Sequence, residues 1–489
     1  MILAPRTHAA GGMRLLLLVA ALLAALGGGL GPAAAQEEKL YAPPAPAAPA
    51  ERAPAPPEPK SLPGVAEEEQ TPSALSAIQS AVSPLETISC SAPQQGVVNV
   101  SSTDFTSLGS CLLTVPVTTT VYLNANATAT LGAASAFEAL FTFTVDGNTL
   151  SNPRRWVNVY PDGGDGTDET VALSRMLVVG PGTHTFGLQV SKMSSSDGTI
   201  KIYSPVLTAI AIPPTSGLST CGASDSSWSD NTNTITEIIS CTITTSVTGT
   251  VYLDANASLT LPFDGASYEA QFRFGLNDTD LPAPSRWVNI STDSGDGTDR
   301  SLSLSRLLVV GPGTHTFRLM GRRASAAVAT VYALDPQLSA IFIPTGSPAA
   351  QTCAGTIQDF SNSTNAYQSA SSCQLTVAVT STVFLHASAS VALPNGGPDY
   401  EGVFRFGLNS SDLAPPTRYV NIYANSDDGT DKTVALSRML VVGPGTHTFR
   451  LMARLLAEGG QLKLFSASMS AVVLNNLPDP VYVPAVVKQ

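Results

Sequence analysis

Thirteen residues, SRMLVVGPGTHTF at 174–186, return as SRLLVVGPGTHTF at 305–317 and as SRMLVVGPGTHTF at 437–449. The offsets are 131 and 132 residues, so one unit is present three times. Each unit therefore has to close its own core, and at this length each is a domain in size. Gly-Pro-Gly-Thr stops a ladder and permits a tight reversal, so each copy reads as two strands about a four-residue turn. That reading sets Val179 opposite His184, Leu177 opposite Phe186 and Arg175 opposite Leu188.

The rest of each unit is written in the same period. In the second copy Val251, Leu253, Ala255, Ala257, Leu259 and Leu261 alternate with Tyr252, Asp254, Asn256, Ser258 and Thr260. A period of 2 predicts a strand with one face in the core and one in water. The same pattern runs over 121–131 and 383–393. Its mid-strand alanines leave room for large side chains from a facing sheet, which Phe137, Phe141, Phe143, Tyr268, Phe272, Phe274, Phe404 and Phe406 supply. After a turn comes Arg-Trp-Val-Asn at 155–158 and 286–289, or Arg-Tyr-Val-Asn at 418–421, then an Asp-Gly-rich loop. Charged residues are only 13% of the chain, and Ser, Thr, Val and Ala dominate the repeats, a β-sheet composition. The expected fold is all-β: three tandem antiparallel β-sandwiches of about eight short strands each. Strand counting leaves jelly roll and immunoglobulin-like sandwich both open, although the Cys…Trp…Cys order of the latter is absent.

The N-terminus reads as a secretory signal: Arg6 and Arg14, an apolar run over 15–26, and Ala33-Ala34-Ala35 as a cleavage site. The run is shorter than the roughly 20 residues a membrane span needs. Met13, directly before Arg14, is an alternative start. Removing 1–35 takes away two of 25 basic residues and no acid, leaving 23 against 37, a net charge of −14. Such acidity disfavours nucleic acid and anionic membrane surfaces as partners. Residues 36–86 are a Pro/Ala/Glu-rich linker, extended where proline is dense, with a short helix expected from Thr71-Pro72. The expected domains are then 87–217, 218–348 and 349–474, followed by a tail at 475–489.

Six cysteines obey the repeat, as Cys90/Cys111, Cys221/Cys241 and Cys353/Cys373. Three copies of one fold should each use the same local pair, so in an exported chain they predict three disulfides within the repeats.

The succession TVYLNANATATL, FTFTVDG, LVVGPGTHTFGL and LTAIAIP resembles the jelly-roll modules of the C1q/tumour-necrosis-factor-like type, over about residues 87–474. That resemblance implies an eight- or ten-stranded jelly roll that favours trimeric packing. The paired cysteines depart from it.

Four polar constellations recur. Asp162, Asp165 and Asp168, Asp293, Asp296 and Asp299, and Asn425, Asp428 and Asp431 stand at i, i+3 and i+6. Three oxygen ligands in a Gly-rich loop suit calcium, but Asp-Gly is also a common turn signal, and the turn is the preferred reading. Arg175, Arg306 and Arg438 lie in phase with apolar neighbours and need a carboxylate or carbonyl partner, for which Asp168, Asp299 and Asp431 are near in sequence. His184, His315 and His447 read as neutral, hydrogen-bonded rim histidines. Trp156, Trp287 and Tyr419 are candidate platforms for stacking a glycan. Sequons stand at Asn99, Asn126, Asn256, Asn277, Asn289, Asn362 and Asn409, with Asn126 and Asn256 on the face expected to be wet.

No nucleophile-base pair can be assembled from these residues. The expectation is an exported, non-enzymatic structural or adhesive protein without a cofactor, its partners being itself or other surface proteins. A carbohydrate-binding array is the alternative. Finally, Met176 and Val178 are apolar on the face opposite Leu177 and Val179, as are Leu307, Val309, Met439 and Val441. A strand apolar on both faces is normally covered on both, so the modules should either close about an axis or line up and meet other chains.

Overall fold

The computed structural model describes residues 89–93, 96–131, 137–159, 161–162, 165–166, 168–193, 198–260, 268–290, 299–324, 330–347, 350–392, 400–422, 431–456 and 460–474. The expected signal, the linker with its expected helix, and the C-terminal tail lie outside the described residues. Among the described residues there is one 3-10 turn, Pro214–Ser216, and otherwise strand.

Each repeat folds as eight strands in two antiparallel sheets. In the first repeat the first strand comes in two pieces, Ser89–Pro93 and Val97–Val100. Then follow Thr106–Val115, Thr119–Leu131, Phe137–Val145, Asn148–Val159, Asp168–Val179, Gly182–Lys192 and Ile200–Ile212. One sheet has the order first, eighth, third, sixth; the other has second, seventh, fourth, fifth. The second and third repeats repeat both orders. Two four-stranded sheets in this order make an eight-stranded jelly roll, which decides between the two sandwiches that strand counting left open.

This topology corrects one expectation. The strands on either side of Gly-Pro-Gly-Thr do not pair: Asp168–Val179 lies in one sheet beside Thr119–Leu131, and Gly182–Lys192 lies in the other between Thr106–Val115 and Phe137–Val145. The turn carries the chain from one sheet to the other. Local sequence specifies the reversal, but the apolar residues on both strands are satisfied by facing each other across the sandwich rather than side by side.

Three separate apolar cores fill the sandwiches, with Phe141, Phe143 and Phe186 fully buried in the first, Phe272, Phe274 and Phe317 in the second, and Phe404, Phe406 and Phe449 in the third. The three disulfides form as expected, Cys90–Cys111, Cys221–Cys241 and Cys353–Cys373. Each ties the first strand to the second and therefore one sheet to the other. A fourth apolar cluster belongs to no single repeat. Tyr122, Tyr252 and Phe384 meet with ring centroids 6.0–6.1 Å apart in edge contacts, flanked by Ile210, Ile341 and Val472. The first-eighth-third-sixth sheets of all three repeats thus face one another around a pseudo-threefold axis. Met176, Leu307 and Met439 pack on this cluster as the two-faced apolar strand predicts, whereas Val178, Val309 and Val441 one step further are 67–71% exposed.

Replacing Cys221 and Cys241 together by serine should lower unfolding stability by about 3 kcal/mol, the loop-closure value for one such bond. Denaturant titration checks this, and a thiol assay on the denatured, unreduced native chain should find none of these six sulfurs free.

Candidate functional site

The third strands show why the axis holds. Val121, Leu123, Ala125, Ala127 and Ala129 enter the sandwich core, and the alternate residues Tyr122, Asn124, Asn126, Thr128 and Thr130 are 0–6% exposed as well. The face expected to be wet is therefore the wall of the axis. Period-2 alternation separates polar from apolar faces; it does not say whether the polar face meets water or another polar face. Of the sequons, Asn126 and Asn256 are consequently buried; Asn289 on the fifth strand and Asn362, bonded within its own repeat to the Ala366 and Ala453 carbonyls, are buried too, while Asn99, Asn277 and Asn409 are exposed.

One arginine per repeat crosses each seam. Arg155, Arg286 and Arg418 are 0% exposed. They sit on the fifth strands in phase with apolar residues such as Val157 and Val159, so the chain aims each one inward at the sandwich edge. Arg155 donates through Nη2 to Asn256 Oδ1 and through Nη1 to the Asp335 carbonyl at 2.9 Å. Arg286 donates to the Ser388 carbonyl and hydroxyl at 2.8 and 2.7 Å, and to the Ser466 carbonyl at 2.9 Å. Arg418 donates to the Asn126 carbonyl at 2.9 Å and its Oδ1, and to the Ser204 carbonyl at 2.9 Å. The first repeat grips the second, the second the third, and the third the first.

The receiving carbonyls share an unusual backbone. Ser204, Asp335 and Ser466 have φ of 44°, 47° and 50°, left-handed values, at places where the eighth strand slips register. A bulge of this kind turns a carbonyl out of its own ladder, here toward the neighbour's guanidinium. Burial pulls the three arginines down to a pKa of about 9, and their carbonyl acceptors hold them as cations at neutral pH.

Further contacts follow the same circular order. Asn256 Nδ2 donates to Ser174 Oγ at 2.5 Å, Asn126 Nδ2 to Ser437 Oγ, and Ser305 and Ser388 meet at 3.3 Å. The backbone N–H groups of Trp156, Trp287 and Tyr419 donate to Ser258, Ser390 and Thr128 at 2.9, 2.9 and 3.3 Å. These three aromatic residues therefore stand at the seams, half-buried, with Tyr419 also 6.1 Å from the Tyr203 ring.

The Asp loops are described only in part. Asp293, Asp296, Asn425 and Asp428 lie outside the described residues. Asp162 and Asp165 pair in a short antiparallel ladder. The third members, Asp168, Asp299 and Asp431, open the sixth strands; the first two are buried and Asp431 is half-buried by surface area. Asp299 hydrogen-bonds Thr260 and Glu138 of the first repeat, and Asp431 hydrogen-bonds Glu269 of the second. Burial raises both carboxyls, and the acidic neighbour raises them further. Asp168, bonded to Thr130 and near Lys432, is raised by burial to about 6. Arg175, Arg306 and Arg438 do not pair with these aspartates. They donate to the carbonyls of Asn152, Ala283 and Ala414, one residue before or at the cis-proline turns that precede the seam arginines. His184, His315 and His447 are hydrogen-bonded rim residues, each bound through Nε2 to the Gly180, Gly311 or Gly443 carbonyl at 2.8–2.9 Å. His184 also meets Asp146 at 2.8 Å, and that bond holds its pKa above the usual value.

The seam arginines were missed in the sequence, although the signal was present. An arginine repeated three times in phase with Val157 and Val159 is a buried one, and a buried guanidinium demands a set of acceptors.

No family model matches the chain, and no curated protein matches it. Among solved structures it is similar to the tandem CBM22-1-CBM22-2 domain from Paenibacillus barcinonensis Xyn10C, at 13% identity over 51% of this chain and 92% of that one, with a TM-score of 0.14. It is also similar to the infectious bursal disease virus VP2 subviral particle, at 9% identity over 80% and 81% with a TM-score of 0.18, and to the insecticidal delta-endotoxin Cry8Ea1 from Bacillus thuringiensis, at 6% over 70% and 53% with a TM-score of 0.17. Among the described residues no helix is long and apolar enough to cross a membrane.

Truncating Arg286 to alanine leaves buried acceptors on the third repeat unpaired and should cost on the order of 3 kcal/mol or more. Val309→Ser, at an exposed site, should stay within about 0.5 kcal/mol of the parent; chemical denaturation compares the two. The raised carboxyls set a pH dependence. An acid whose folded pKa lies above its unfolded value stabilises the fold at low pH and loses that contribution as pH rises through the folded value. Thermal stability should therefore fall from about pH 4 through pH 6 and beyond, and Asp299→Asn should flatten the slope.

Proposed function

We propose that this chain is an exported, non-enzymatic structural or adhesive protein, in which a Pro/Ala-rich stalk carries a closed ring of three C1q/tumour-necrosis-factor-like jelly rolls. The observation that carries this reading is where the repeated polar residues go. The arginines at 155, 286 and 418, with the asparagines, serines and aspartates around them, are spent on holding the repeats to one another, while the arginines at 175, 306 and 438 bond carbonyls of their own repeats. A catalytic centre needs polar groups left free to face a substrate. Three disulfides fit an oxidising, extracellular address. On this reading the protein works without a cofactor, and what it offers partners is its outer surface and loops.

Glycan binding is the second reading, favoured by Trp156, Trp287 and Tyr419 standing half-exposed at equivalent seam positions. A partly exposed aromatic ring repeated around a ring of modules is a means of multivalent capture. A glycan array separates the two. The structural reading expects no signal above background. Binding that Trp156→Ala and Trp287→Ala abolish while the melting midpoint is unchanged establishes the second. Fractionating the native source tests the address: recovery in the intracellular pool with free thiols overturns export.

A further inference from the structure

Residues that build the ring fall into two groups. Those that cross a seam meet a different position of the neighbour, and they are nearly invariant among the repeats: Arg155, Arg286 and Arg418, or Ser174, Ser305 and Ser437. Those on the axis meet their own counterparts, and there the repeats differ. One axial layer is Asn124, Asp254 and His386. Tyr122 donates its hydroxyl to Asp254 Oδ2 at 2.8 Å and receives Asn124 Nδ2 at 3.1 Å. The Tyr252 hydroxyl meets His386 Nδ1 at 2.9 Å, and Asp254 Oδ1 lies 3.8 Å from the same nitrogen. Asp254 and His386 are each 1% exposed.

A second layer is Glu169, Arg300 and Lys432, 7%, 8% and 4% exposed. Lys432 Nζ lies 2.5 Å from Glu169 Oε1, and Arg300 Nη1 donates to the Asp431 carbonyl at 3.4 Å. Adjoining it, Thr170 donates to the Thr433 carbonyl and Thr433 to the Ser301 carbonyl, at 2.5 and 2.6 Å. Position 169 of the first repeat is thus paired with its counterpart in the third, and the adjoining hydroxyls link positions 170, 433 and 301 of the three repeats.

A ring of three like repeats would place the same residue three times at each layer. Three copies of the first repeat bury three glutamates; three of the second bury three aspartates and three arginines; three of the third bury three lysines. Uncompensated buried charge of one sign costs several kcal/mol per ion. The ring of unlike repeats avoids three residues of one sign in a layer: Glu169 meets Lys432, Arg300 lies beside Asp431, and Asp254 receives the Tyr122 hydroxyl.

We propose that the axial sets Asn124/Asp254/His386 and Glu169/Arg300/Lys432 are specificity determinants that admit one copy of each repeat to a ring and exclude rings of like repeats. The segments joining the repeats are short, from Ile212 to Ser219 and from Pro344 to Ala350, so the admitted ring is closed by a single chain. The surface that the invariant arginines make generally adhesive among repeats is in this way restricted to the chain's own three.

What matters on this account is the composition of an axial set and not which repeat carries which member. In the full-length chain, Glu169→Arg puts three cations on the axis. It should lower the melting midpoint by several degrees and expand the particle in small-angle scattering or raise its mass in light scattering. Adding Arg300→Glu restores one acid and two bases with their places exchanged, and should recover most of the midpoint and the parent mass. A purely local role for the Glu169–Lys432 pair predicts no such recovery, because the acid has moved to another repeat. The proposal is overturned if the double variant is as unstable as the sum of its single variants, if it does not fold, or if Glu169→Arg alone leaves midpoint and mass unchanged. An independent exchange, Asp254→His with His386→Asp, should be tolerated for the same reason, and unfolding of that pair would also overturn it.

Discussion

Each seam of this protein turns on a fully buried guanidinium that finds its acceptors in the next repeat. A cation withdrawn from water is costly until its donors are filled, and within one jelly roll an arginine at the edge of the fifth strand cannot fill them. The Nε bonds of Arg155 and Arg286 reach their own sixth strands, at the Ala172 and Ser303 carbonyls, and each Nη1 also reaches the preceding residue's carbonyl, but Nη2 finds its acceptors on the neighbour. The isolated module is therefore electrostatically unfinished, and the ring completes it.

Several features serve that one contact. The eighth strand breaks its register so that a carbonyl leaves the ladder, and it does so in a left-handed conformation that Ser204, Asp335 and Ser466 adopt without being glycine. Such a backbone costs of order 1–3 kcal/mol at each place, which the charged hydrogen bond offsets. The asparagine or serine two steps along the third strand from the axial Asn, Asp or His completes the cradle. Below it, the apolar cluster of Tyr122, Tyr252 and Phe384 supplies non-directional attraction, while the arginines fix the angle between modules.

Much of this architecture was legible in the chain. The triplication gave the number of modules, the alternation gave the sheets, and the cysteine spacing gave the disulfides, because each is a local or periodic signal. The extra apolar stripe at Met176, Leu307 and Met439 pointed to packing between modules. What was not legible depended on partners remote in sequence. Tyr252, Asp254 and Asn256 look solvent-facing to any rule based on polarity, since only the arrival of another repeat makes them interior. The Gly-Pro-Gly-Thr reversal reads as a hairpin because the same residues serve a turn within a sheet or a crossing between sheets. Sequence proximity points Arg175 to Asp168, whereas in the fold it donates to the Asn152 carbonyl at the cis-proline turn.

The third seam joins residues almost three hundred positions apart, as in Arg418 with Asn126. Loop closure over that length is slow to achieve, though only modestly costly once made. During synthesis the first two jelly rolls are complete while the last is still unmade. At that stage the tyrosines of the axis and the buried polar strands beside them have two walls and no third. The nascent chain thus passes through a stage in which its stickiest surface is open. How quickly the last 130 or so residues follow, on the order of 7–26 s at 5–20 residues per second, sets how long that surface can meet a chaperone or the same surface of a neighbouring nascent chain.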